Sequence, residues 1–116
     1  MIWLWLSAAF MVTTAGVHSV LGYRRMIVPL LRGEAGPLAD PLTRRIIRFA
    51  WHATSVLMLI SAAAVAWSGT PKGVLIVIGG AWLASGLFDA AYTNGRHIAW
   101  PALAGAGILA LIGALA

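Results

Sequence analysis

Four stretches of this chain are apolar enough to span a bilayer, and nearly every basic residue lies in the connections on one side of them. About 20 apolar residues cross a hydrocarbon core of about 30 Å, and unpaired backbone cannot face lipid, so such stretches must be helical. They run from about Ile2 to Leu21, Ile46 to Trp67, Val74 to Tyr92 and Ile98 to Ala116. The expected fold is all-α, a four-helix transmembrane bundle of up-down-up-down order. Residues 1–116 form a single integral membrane domain, too short for two.

Composition agrees. Hydrophobic residues make up 61% of the chain and charged residues 9%, against about 25% charged in a soluble domain. The net charge of +5 suggests nucleic acid at first sight. The cations, however, flank apolar spans instead of forming a basic face, which points to anionic lipid headgroups and away from nucleic acid. Without cysteine there is no disulfide, thiolate metal site or thiol nucleophile.

Arg24, Arg25, Arg32, Arg44 and Arg45 occupy the connection 22–45, Arg48 opens the second span and Arg96 lies in the last turn. The outer turn has only Lys72. The positive-inside rule then puts both termini outside and the Arg-bearing connections in the cytoplasm, as expected of a multi-pass protein of the bacterial inner membrane. The first span has no basic residue before it, unlike a cleavable signal peptide. Trp3, Trp5 and Trp67 fall at the outer interface, Trp51 and Trp100 at the inner one.

Inside the long connection, Met26 to Arg32 reads as a short amphipathic piece at the headgroups, ended by Gly33, Gly36 and Pro37. Asp40-Pro41 supplies an N-cap followed by proline at the first helical position. Ser68 to Gly73 and Thr93-Asn94-Gly95 read as tight turns.

The polar residues left in the spans are the main functional signal. At about 1.5 Å per residue, His18 is about 9 Å inside Arg24, His52 about 6 Å inside Arg48 and Asp89 about 10 Å inside Arg96, with His97 at the interface. The depths overlap, so one site could gather all four. Helical periodicity aligns Ser7, Met11, Thr14 and His18 on one stripe, Arg45, Arg48, His52 and Ser55 on a second, and Gly79, Trp82, Gly86 and Asp89 on a third. Inward packing with hydrogen bonds between helices accounts for such stripes without any function.

Several functional readings stay open beside it. His18, His52 and His97 with Asp89 offer three nitrogens and one oxygen, a tetrahedral set for zinc or a related transition metal. A b-type haem held between His18 and His52 is a variant, with Arg24, Arg25, Arg45 and Arg48 meeting its propionates or lipid headgroups. Proton-coupled transport through Asp89 and a histidine is a third, although Asp89 lies away from the midplane where coupling groups usually sit. Catalysis is poorly supported, because the chain has no nucleophile elbow, phosphate-binding glycine loop or HExxH pair. Ala102, Ala106, Ala110 and Ala114 form a small-residue ridge that packs within the bundle or serves a homo-oligomer or larger membrane complex.

The runs Val17-His18-Ser19-Val20-Leu21-Gly22, Pro29-Leu30-Leu31-Arg32 and Arg48-Phe49-Ala50-Trp51-His52 resemble a family of small bacterial four-helix membrane proteins to which no activity is assigned. The resemblance covers the first half of the chain best. It implies that His18 and His52 belong to the motif and transfers nothing catalytic. Tyr23 stands where the family commonly has glutamate, which removes an acid from beside His18.

Overall fold

A computed structural model describes the whole chain, Met1–Ala116, as helices without strands. The first rod is longer than the sequence predicts. Helix α1 (Ile2–Val17) passes into a π-helical segment, His18–Ile27, and on into α2 (Val28–Arg32) without a break. The connection therefore begins after Arg32, not after Leu21, and Met26 to Arg32 is the end of the rod instead of a separate amphipathic piece. No residue before Gly33 forces the chain out of helical dihedrals. Gly22 is absorbed in the wide turns, and Pro29 follows the junction where the π-helical turns give way to α2. Gly33 then turns extended and ends the rod.

A short 3₁₀ turn, Gly36–Ala39, leads to α3 (Pro41–Ala66). The Asp40 carboxylate caps α3 as expected, accepting from the Leu42 amide at 3.1 Å and the Thr43 hydroxyl at 3.0 Å. Helix α4 covers Lys72–Tyr92 and α5 covers Trp100–Leu115. Asn94 and Gly95 reverse the chain between them with positive φ of 53° and 73°. The rod Ile2–Arg32, α3 and α4 are long and apolar enough to cross a membrane. At 16 residues, α5 reaches only about 24 Å, because the turn after α4 extends through Ala99.

Helix α5 packs on α4 and α1, and α1 also packs on α3, while α3 and α4 touch sparsely. The contacts run antiparallel: a Cβ at Gly113 would meet Leu4 and one at Gly105 would meet Phe10, whereas Gly79 lies by Ala110 and Gly86 by Ala104. Close approach explains the small residues. A Cβ on Gly107 would collide with the Leu83 amide nitrogen, and one on Gly86 with that of Ala104. Ala106, Ala110 and Ala114 are buried, with Ala102 partly so, and the ridge is used inside the chain.

The core joins these alanines to Ala8, Met11, Ala62, Val65, Leu75 and Trp82. Ala62, Val65 and Leu75 flank the turn between α3 and α4, so α3 meets the rest of the core at the end away from the arginines. Only 19 of the 116 residues are buried, and Phe49, Leu57, Val77 and Phe88 are among many large apolar side chains left open. Soluble monomers rarely expose apolar surface on this scale.

Candidate functional site

At the Arg-rich end, α1 and α3 are joined mainly through polar and aromatic groups. His18 and Trp51 bind each other twice: the Trp51 indole N–H donates to the His18 carbonyl at 2.8 Å, and His18 Nε2 lies 3.0 Å from the Trp51 carbonyl. Because a carbonyl only accepts, that ring nitrogen carries the proton. The two rings stack with centroids 3.9 Å apart and planes 12° from parallel. Gly22, one turn on, leaves room for the indole, since a Cβ there would lie 2.7 Å from Trp51 Cζ2.

One step around the helix, Ser19 donates to Ser55 and lies 3.0 Å from His52 Nδ1. The Tyr23 ring tilts against His52 with centroids 4.7 Å apart, and the Tyr23 hydroxyl accepts from Arg48 Nε at 3.0 Å. Most of this network lies on the π-helical segment and the facing turns of α3. Wider turns re-aim side chains relative to an α-helix, and π segments recur at functional sites for that reason. No buried side-chain nitrogen or oxygen is left without a partner.

The second polar group lies between α4 and α5. His97 Nδ1 is 2.8 Å from Asp89 Oδ2, the one side-chain contact between an acid and a basic group in the molecule. The Thr93 hydroxyl donates to the Asp89 carbonyl at 2.6 Å and accepts from the His97 amide at 3.3 Å. These bonds brace the turn before α5.

His97 contacts Asp89, whereas His18 and His52 contact Trp51 and Ser19, and no hydrogen bond joins the two groups. No three His or acidic side chains come together in a group that could hold a metal ion. The physical reason is that each histidine has a nearer partner: the Trp51 carbonyl, Ser19 and Asp89 respectively. A haem clamped between His18 and His52 meets the same obstacle, since Trp51 covers one face of His18 and the Nε2 proton is directed to a carbonyl. Arg24 and Arg25 are exposed, and Arg45 and Arg48 lie on an exposed, largely apolar face of α3 with Phe49, His52 and Val56.

The three stripes fare differently. Ser7, Met11 and Thr14 are buried with His18 partly so, and Gly79, Trp82 and Gly86 are buried above a partly buried Asp89. On α3 the inward face begins with Trp51 and runs through Ser55, Ala62 and Val65, leaving Arg45 and Arg48 exposed. Trp51 is accordingly not a freely exposed member of an aromatic belt. Its position four residues before Ser55 is the signal in the sequence for an inward place.

The fold and site define a small all-α protein with three helices of membrane-crossing length and a polar network at its Arg-rich end. Comparison with family models, curated proteins and solved structures finds no match to this chain.

Proposed function

We propose that this protein is a small, non-catalytic binding or accessory protein of the bacterial inner membrane, with both termini outside and its working end at the cytoplasmic face. The observation that carries the reading is the coincidence, at one end, of two features. A polar network spans the π-helical segment and α3, and an exposed apolar face of α3 bordered by His52, Arg45 and Arg48 lies beside it. Such a network holds that face of α3 in one geometry, and the arginines add charge recognition beside it. The bilayer covers the exposed apolar faces in this reading, and the lopsided arginines set the orientation.

A photo-reactive phenylalanine analogue at position 49, introduced in cells, tests the binding role. The expected result is one discrete adduct that His52→Ala weakens. An adduct pattern matching that of the same analogue at Val77, exposed on α4, would overturn it.

A transition metal or b-type haem as the ligand would first have to displace the carbonyl from His18 Nε2. A visible spectrum and metal content of gently purified protein test that version. Proton-coupled transport is a second reading, favoured by the close carboxylate–imidazole contact of Asp89 and His97. It requires Asp89→Asn to abolish a flux driven by a pH gradient while the fold is kept.

A further inference from the structure

Where the rod emerges beyond His18, Arg32 and Arg44 join Arg48 around a separate hollow of about 240 Å³, whose other walls are Tyr23, Val28 and Leu31. No carboxylate lines it. Asp89 contacts His97, Asp40 caps α3, and Glu34, exposed beside Gly33, makes no ion pair. Three arginines therefore border one small volume that no carboxylate lines.

Two of them are also held in place. Arg44 Nη1 donates to the Gly33 carbonyl at 3.3 Å, and Arg48 Nε donates to the Tyr23 hydroxyl. Each guanidinium has five N–H donors, so both keep most of theirs for a ligand. Tyr23 positions Arg48 without neutralising it, which an acid at that place would do. Planar N–H forks of this kind match the oxygens of a phosphate and favour it over a spherical anion.

We propose that this hollow is a binding site for a phosphate-bearing anion, with Arg32, Arg44 and Arg48 as its ligands and Tyr23 as the residue that positions Arg48. Val28 and Leu31 give it an apolar side, which suits a phosphate attached to a lipid. A soluble phosphate presents the same oxygens. The lipid source rests on the membrane reading above; the anion chemistry does not.

The test is retention by purified protein in neutral detergent, read by native mass spectrometry. The probes are phosphatidylglycerol, phosphatidylcholine and inorganic phosphate. One phosphatidylglycerol per chain should be held in preference to phosphatidylcholine. Removing a basic side chain near anionic lipid costs roughly fivefold in affinity, so Arg32→Gln and Arg44→Gln should each lower retention by at least that factor. Arg96→Gln removes the same charge outside the hollow and should leave retention nearly unchanged. Arg32→Lys keeps the charge but not the fork and should fall between.

Displacement of the lipid by millimolar inorganic phosphate would assign the site to a soluble phosphate; resistance to it would assign a headgroup. An equal loss with Arg96→Gln, or no preference among the probes, would overturn the site. Failure of the membrane reading would show separately, as release of the protein from native membranes by alkaline carbonate.

Discussion

His18 and Trp51 hold each other through two hydrogen bonds and a ring stack, each side chain bonding to the other's backbone carbonyl. The arrangement ties the first turns of the π-helical segment to α3 at the end where α3 and α4 make little contact. Removing the indole should thus be costly although Trp51 is only half-buried. Trp51→Phe keeps a ring for stacking and loses one hydrogen bond, an expected cost of about 1 kcal/mol. Trp51→Ala should cost about 3 kcal/mol or more. Unfolding of both variants in detergent measures the difference, and equal stabilities would show that the pair contributes little.

Ser19 serves two partners at once. Ser19→Ala leaves His52 Nδ1 and the Ser55 hydroxyl without their shared neighbour, and a part-buried polar group left unpaired costs about 1–3 kcal/mol. Adding Ser55→Ala removes one of those orphans. The double variant should therefore be no less stable than the sum of the single changes and is expected to recover part of the loss, as a double-mutant cycle would show.

The α4–α5 contact depends on particular glycines and not on glycine content. Gly107→Ala and Gly86→Ala must push backbone from backbone, and each should cost about 1–3 kcal/mol. Gly80, also in α4, has nothing within 4 Å of where a methyl group would stand. Gly80→Ala should be neutral or stabilising by about 0.5–1 kcal/mol through helix propensity. Thermal unfolding of the three variants under one condition checks the contrast.

Asp89 and His97 act apart from the His18 and His52 group. Their contact is partly open to solvent, the His97 side chain being 49% exposed, so Asp89→Asn should cost under about 1 kcal/mol. Combined with Ser19→Ala, its effect should add to within about 0.5 kcal/mol. A larger coupling would mean that the two pairs share a network after all.

Much of this architecture is legible in the sequence because it follows from hydropathy, helical period and cap chemistry. Apolar runs locate the helices, Asp40-Pro41 marks the start of α3, and the stripe from Ser7 to Thr14 faces inward as its period requires. The π-helical segment has no comparable signature, so the length of the first rod is hidden, and with it the placement of Tyr23 against Arg48. Shared depth along the helices does not separate His18 and His52 from Asp89 and His97. Depth gives the level of a residue but not its neighbours, and the nearer partners Trp51, Ser19 and Asp89 take up the histidines. Trp51 escapes the sequence for a related reason: tryptophan near a membrane edge fits an interfacial belt and an inward stack equally well until the facing residue is known.

The central claim, a membrane-spanning bundle whose polar network and arginines lie at the cytoplasmic face, is tested most directly by cysteine labelling in intact cells. The chain has no cysteine of its own, and Ser68 and Glu34 are exposed at opposite ends. A membrane-impermeant maleimide should label Ser68→Cys from outside and Glu34→Cys only after permeabilisation. Labelling of Glu34→Cys in intact cells, with Ser68→Cys protected, would contradict the orientation, and equal labelling of both in the soluble fraction would contradict the membrane assignment itself.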